Sequence, residues 1–334
     1  LIKNIIEDAQ KKGEQVQRKI DEEDEPFFPF YHSPEKNILS INRNIEEGVN
    51  LDLAVNLVAN ARQVVKQEMG AKVKDIKVTF FKIADVIEYA DTDGNMIDTV
   101  TPRVGIAIQV ETKDNNKAFG AIRGAMGGTE ILKRSEEDAD KDYVEIVRAL
   151  AKEVSKDAID LDRAQSTSIL GSECPVVLSS GVTGVLAHEV YGHSSEADVI
   201  ITNKKTKAAE INLKGRIGGQ VSENTKFNII DTGLCSFDVG KKKIRNAFGG
   251  IVVDEHGTIP KRTALIQDGV QKLVLNSRYT RNEIMDGLTG DIRDEMERHG
   301  LSGNVRTEKY DKPPLVRMTN TYILPDDENG KDKL

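Results

Sequence analysis

Cysteine is nearly absent from this 334-residue chain, with only Cys174 and Cys235 present. Two thiols make no disulfide framework, which excludes the small stapled scaffolds of secreted proteins and fits a reduced, cytoplasmic compartment. No stretch approaches the ~20 apolar residues of a membrane-crossing helix, and no secretory signal pattern is visible. An excess of positive charge is missing too. The formal net charge is −8, which disfavours non-specific nucleic-acid binding, because that binding needs a basic footprint. The one basic run, Lys241-Lys-Lys-Ile-Arg245, is short and reads as a solvated loop. Aromatics are scarce, and four of them crowd into Pro26-Phe-Phe-Pro-Phe-Tyr31. Such a run is expected to anchor the N-terminal arm onto a neighbouring domain or subunit.

Histidine is also rare. Five occur, and two of them fall within His188-Glu189-Val190-Tyr191-Gly192-His193. Imidazole is a favoured zinc ligand, and a carboxylate beside a zinc site is what peptide hydrolysis needs. His188 and His193 are therefore the candidate metal ligands and Glu189 the candidate catalytic base. The bland alternative is two unrelated histidines, one at a helix end and one on a loop, and histidine scarcity argues against it. The spacing, HExxxH, poses a geometric problem: residues five apart on a regular helix point about 140° away from each other. Glycine at a helix end commonly takes the left-handed conformation. Gly192 is expected to do so, ending the helix and folding His193 back to the metal.

The flanks extend this reading. Pro175-Val-Val-Leu-Ser-Ser180 reads as a short core strand, with Ser179 or Ser180 capping the helix that follows. Val182, Val185 and Leu186 fall at helical spacing and are expected to bury one face against the sheet. Downstream, Glu196 and Asp198 are candidates to hold the second ring nitrogen of a ligand imidazole, as outer carboxylates commonly do. Solvated loop acids are the equal alternative. Cys235 is a weak candidate for a third ligand, and Cys174 is expected to be buried at the start of the strand.

The length allows two domains, and the patterning reads as α+β, each domain an antiparallel sheet with packed helices. Residues 1–70 form a helical N-terminal arm with the aromatic segment, its charged helical pattern running from Asn4 to Glu22. An amphipathic helix spans Leu51 to Met69 and stops at Gly70. Residues 71–168 form an N-terminal α+β domain with strands around Ile76–Phe80 and Val104–Val110, a turn at Asp91–Gly94 and a helix over Tyr143–Leu161. Residues 169–334 form the domain that carries HExxxH. Its strands are expected at Lys226–Ile230, Gly250–Val253, Thr263–Gln267 and Val270–Leu275, with a hairpin turn at Asp268-Gly269 and a helix over Thr280–Arg298.

Several separated segments resemble the TldD branch of the TldD/PmbA family of zinc metalloproteases. They are Val185–Asp198 around the histidines, Val253-Asp-Glu-His-Gly-Thr258, Ser302-Gly-Asn-Val-Arg306 and Val316–Pro325. Weaker matches run through Ala90–Gly94, Pro102–Ile106 and Gly124–Gly128. The resemblance implies that His188 and His193 bind Zn2+ and that Glu189 is catalytic. It also implies a third ligand, a cysteine in a glycine-rich segment that would lie beyond Leu334, so the sequence is expected to be a fragment whose metallopeptidase domain is incomplete at its C-terminal end. As substrate it implies unfolded or extended peptides, bound by strand addition. As partner it implies a PmbA/TldE-like subunit in a heterodimer, with a homodimer as the alternative. Family members have been named gyrase modulators, but the composition offers no physical support for DNA contact. Two other functions stand beside the peptidase: a non-catalytic peptide-binding subunit, which the retained histidines and glutamate argue against, and a structural zinc site. A structural site normally has four protein ligands, often cysteines, and no cysteine pair supplies them.

Overall fold

Asn50 starts the first described helix, α1 (Leu51–Met69). Its side-chain oxygen accepts the backbone N–H of Asp52 at 2.9 Å and of Leu53 at 3.3 Å, satisfying donors that a helix start leaves open. The computed structural model of the protein describes residues 38–41, 50–133, 140–165, 173, 175–206, 217–224, 226–239, 242–308 and 312–324. The expected Asn4–Glu22 helix, the aromatic run Pro26–Tyr31 and Cys174 lie outside these.

Along α1, Leu57, Ala61, Val64 and Val65 recur at helical spacing and are buried. They face a sheet built on a long hairpin, β2 (Val73–Ala90) and β3 (Met96–Thr112), paired antiparallel from Val73↔Thr112 to Ala90↔Met96. The other edge of β3 carries β4 (Lys117–Ala125), antiparallel, and β1 (Ile38–Ile41), which runs parallel to the first residues of β3. α2 (Tyr143–Arg163) lies beside α1, and Val147, Val154, Ile106, Ile108 and Ile122 share one core with it. Each such side chain, fully buried, contributes about 1.5–3 kcal/mol.

The second sheet is antiparallel throughout. β5 (Ile229–Thr232) sits between β12 (Asn320–Ile323) and β8 (Arg262–Gln267), and β8 continues into β9 (Val270–Gln271). The turn between them has Asp268 at φ 54° and Gly269 at φ 77°, the two left-handed residues that a two-residue hairpin requires. Two small ladders complete the strands: β6 (Phe237–Val239) with β7 (Lys242–Ile244), and β10 (Val305–Arg306) with β11 (Leu315–Val316). The helices of this half are α3 (Ser180–Leu186), α4 (Ala197–Thr206), α5 (Arg281–Asp286) and α6 (Gly290–His299). The molecule is thus α+β, its sheets antiparallel apart from β1. Among the described residues, no helix is long and apolar enough to cross a membrane.

Several expectations are corrected here. Residues 175–179 form no strand, and Val176 and Val177 are 65% and 75% exposed. Val182, Val185 and Leu186 are likewise exposed rather than packed on the sheet, because it is the next turn of chain that turns its apolar side to the core. Ser179 has the extended backbone of an N-cap, but its side chain makes no cap bond. Residues 250–253 form no strand: Gly250 N–H donates to Ala247 O, closing a turn over 247–250, and Ile251 N–H donates to Gly233 O. The ladder of β9 ends at Gln271, and Leu275 instead bridges Glu196 in parallel. The single helix over 280–298 is two helices, because Gly290 at φ 62° breaks the run.

Arg278 joins the two halves. It is buried, and its Nη1 lies 2.7 Å from Asp93 and 3.3 Å from Asp91 in the β2–β3 turn. Arg103 of β3 reaches the other way, donating to the carbonyls of Phe248 and Gly250.

Candidate metal centre

The chain leaves α3 by widening. Ala187–Gly192 is a π-turn, and the N–H of His193 donates to the carbonyl of His188, five residues back. Gly192 has φ −67° and ψ −60°, and His193 has φ −58° and ψ −35°, both right-handed. The expected left-handed Gly192 is therefore wrong. A π-turn solves the spacing problem differently, because its i→i+5 bonds bring the fifth residue back beneath the first. The rings of His188 and His193 lie 4.7 Å apart, centroid to centroid, at 81°. One potential ligand atom from each of His188, Glu189 and His193 lies within 4.8 Å of the others.

Glycine is still required at 192, for a steric reason. A Cβ there would fall 1.8 Å from Sδ of Met318 and 3.2 Å from the carbonyl of Ala187. Met318 thus lies directly against the backbone of the turn. The turn's buried side is Ala187, Gly192 and the ring of Tyr191, which stacks edge-on against Phe227 at 5.2 Å and packs with Ile229, Leu265, Leu275 and Met318. Its outer side carries His188, Glu189 and Val190, all exposed. The hydroxyls of Ser194 and Ser195 both donate to the carbonyl of Tyr191, at 3.0 and 2.7 Å, closing the turn.

Glu196 is fully buried beside this turn. Its Oε2 lies 3.2 Å from Nδ1 of His193 and 3.2 Å from Nη1 of Arg317, while Oε1 accepts the N–H of Met318 at 3.3 Å. Burial pushes its carboxyl above the ordinary range, and the contacts with His193 and Arg317 pull the other way. With Nδ1–H of His193 donated to this carboxylate, Nε2 is the nitrogen left to face a metal. Asp198 has a different place. Its Oδ1 accepts Val199 N–H at 2.9 Å and its Oδ2 accepts Val316 N–H at 3.1 Å, with Arg317 at 3.8 Å. It ties β11 to the start of α4, and no contact links it to either histidine.

Among the described residues, His188, Glu189 and His193 are the only group of three or more His, Cys, Asp or Glu side chains placed so that it could hold a metal ion. Cys235 is not part of it: its sulfur sits against Gly250, and its carbonyl accepts Ala247 N–H. Two imidazoles converging beside a carboxylate fit Zn2+, whose catalytic sites commonly have three protein ligands. With Glu189 kept as a base, the described set is one ligand short. Sequence reading overlooked Arg317 and Met318. They stand in the Val316–Pro325 segment, but no periodicity links that segment to a turn more than a hundred residues away.

Residues 171–334 match the family model of the PmbA/TldA metallopeptidase C-terminal domain. The chain is 28% identical over 302 residues to a metalloprotease TldD homolog of Buchnera aphidicola, covering 90% of this chain and 55% of that protein. It is 26% identical over 167 residues to a zinc metalloprotease TldD homolog of Saccharolobus solfataricus, covering 50% and 31%. Among solved structures it resembles a Thermotoga maritima protein described as a candidate modulator of a DNA gyrase, with TM-score 0.52, 16% identity, and coverage of 91% and 59%. TldE of Thermococcus kodakarensis superposes with TM-score 0.50 and 9% identity, covering 90% and 59%. At those identities the structures bear on the fold alone. The chain spans about half the length of the Buchnera relative.

Proposed function

The chain belongs to the TldD/PmbA family, and from that premise we propose that it carries the zinc-binding and catalytic turn of a peptidase acting on unfolded or extended peptides. The observation that carries this reading is the π-turn, which sets His188, Glu189 and His193 within 4.8 Å of one another on its open side. Names of relatives support a metallopeptidase, and one of them specifies zinc.

In this reading His188 and His193 hold Zn2+ together with a third ligand from outside the described residues. When bound, zinc supplies acidification of water and polarisation of the scissile carbonyl. Glu189 takes the proton from the attacking water and delivers one to the leaving amine. Its exposure leaves the carboxylate open to substrate, and Tyr191 on the buried side fixes the turn that presents it. Glu196 holds His193 through Nδ1. The protein works in the cytoplasm, with a PmbA/TldE-like subunit completing a heterodimer; a homodimer is the alternative. Gyrase modulation has no support in the composition, since a net charge of −8 provides no basic footprint for DNA.

Glu189→Gln in the full-length protein is the test. Peptide cleavage is expected to be abolished while stoichiometric zinc remains, because the change removes a base and not a ligand. Zinc lost from a folded variant would make Glu189 a ligand instead. Cleavage that persists would remove it from the reaction. A wild type that binds zinc but cleaves no peptide would favour the non-catalytic peptide-binding subunit.

A further inference from the structure

Arg317 is 121 residues from Glu196 in sequence, yet it closes a chain of contacts that ends on a candidate ligand. We propose that Arg317 is a positioning residue for the metal site, acting through Glu196 to fix the orientation and tautomer of His193. This rests on the zinc-peptidase reading above.

The geometry carries it. Glu196 is fully buried, and a buried carboxylate is stable only when paired and hydrogen-bonded. His193 does not balance it, since a metal-bound imidazole is a neutral ligand. Among the described residues, Arg317 is the only lysine or arginine in ion-pair contact with Glu196. The same Nη1 also donates to Val316 O at 2.7 Å, which fixes the guanidinium against the end of β11. Both carboxylate oxygens are thereby engaged: Oε2 by His193 and Arg317, Oε1 by the Met318 amide. A carboxylate held this way has one orientation to offer His193. Meanwhile the Met318 side chain lies against Gly192, and Asp198 holds the Val316 amide. Residues 316–318 thus brace the turn that places one histidine beneath the other.

The test compares Zn2+ and Co2+ affinities, by chelator competition, in full-length wild type, Arg317→Met, Arg317→Lys and Glu196→Gln. Methionine keeps the aliphatic stem, whereas lysine keeps the charge. Loss of an outer partner of a ligand typically costs about 10–100-fold in metal affinity. Glu196→Gln and Arg317→Met are each expected to fall in that range, with Arg317→Lys recovering most of the loss. The Co2+ electronic spectrum is expected to shift in Arg317→Met and to return towards wild type in Arg317→Lys. In a Glu196→Gln background, Arg317→Met should add little, because coupled residues are not additive.

Wild-type affinity and spectrum in Arg317→Met would overturn the proposal. Equal losses for methionine and lysine would also overturn it, by assigning the effect to the shape of the site. If Arg317→Met does not fold, Arg317→Gln, which also removes the charge, takes its place in the cycle with Glu196→Gln, and additive losses would sink the idea. A wild type without stoichiometric zinc defeats the zinc reading itself. Zinc bound equally by wild type and all Arg317 variants defeats only this proposal.

Discussion

The two halves of the molecule bury different things. In residues 50–165 the buried polar side chains are neutral, such as Asn95, Thr99, Thr101 and Thr112, and a single apolar cluster fills the space between sheet and helices. Residues 173–324 bury Glu196, Asp231, Asp254, Arg278 and Arg281 alongside two smaller apolar clusters. Asp231 alone accepts from Asn304, from the Thr319 amide and hydroxyl, and from the Thr321 hydroxyl, at 2.7–3.0 Å. Apolar burial is non-directional and tolerates adjustment. A buried charge with several partners instead fixes where those partners stand, and it becomes a liability when one is removed. The half that bears the histidines is therefore the more specified, and its fragility lies in single polar contacts rather than in apolar packing.

The largest expected effect tests that fragility. Arg278→Met leaves the carboxylates of Asp91 and Asp93 without their buried cation and is expected to cost about 3–5 kcal/mol in denaturant unfolding. Leu57→Ala, in the apolar core of the first half, is expected to cost about 2–5 kcal/mol, so equal truncations fall in a similar range for different reasons. A cost below about 1 kcal/mol for Arg278→Met would break the comparison. Next in size is Gly192→Val, where the new side chain drives into Met318. Overpacking of this kind costs about 1–3 kcal/mol, and zinc affinity is expected to fall with it. Val190→Ala, on the exposed side of the same turn, should stay within about 0.5 kcal/mol. Similar losses for both would mean that the turn has no preferred buried side.

The halves should also differ in acid. His256 and His299 both lie in the second half, and burial depresses each to about 4. A depressed imidazole contributes stability that is fully present above its unfolded value, 6.5, and is lost as pH falls towards 4. Asp254 opposes this. Burial raises it to about 6, so its contribution is full below 3.8 and lost as pH rises through 6. In the first half, Asp91 is held below 3.8, chiefly by hydrogen bonds from Asn95 and Tyr89 acting against its burial, and its contribution is lost only below that value. Protection of the amides from exchange should therefore weaken in the second half between pH 7 and pH 4.5 and stay flat in the first. His299→Gln should make the decline shallower. An unchanged slope would assign the acid sensitivity elsewhere.

Periodicity explains which parts were legible in the sequence. α1, α2 and the β2–β3 hairpin bury one face each, so the spacing of Leu57, Ala61 and Val64, or of Ile76, Val78 and Phe80, carries their identity. The second half is organised by side-chain bonds with no period. Asp254 accepts the amides of His256 and Thr258 and also that of Val305, so the segments 253–258 and 302–306 meet through one carboxylate. Spacing marks both as motifs but does not reveal that they touch. Apolar composition even misled at Val176, Val177, Val182 and Val185, which are exposed. The histidine pair was legible because the residue types are rare. The conformation that unites them was not, since a π-turn and a left-handed helix end both explain a five-residue spacing, and only the neighbour, Met318, decides between them.

That decision yields the smallest and most discriminating test. If Gly192 is kept for space, the sign of Gly192→Ala depends on what stands opposite. In the wild type the new methyl meets the sulfur of Met318, so alanine destabilises. In a Met318→Ala background the obstacle is gone. There alanine gains from its lower conformational entropy cost in right-handed helix, about 0.5–1 kcal/mol relative to glycine. The Ala187 carbonyl, 3.2 Å from the new Cβ, takes back part of that gain, so the expected increment is neutral to slightly stabilising. A left-handed Gly192 predicts otherwise. Alanine would then lose about 1–2 kcal/mol in either background, because the strain belongs to its own backbone and not to the neighbour. Unfolding free energies of the four proteins in this cycle separate the accounts. An unfavourable increment of the same size with and without Met318 would remove the steric explanation of Gly192.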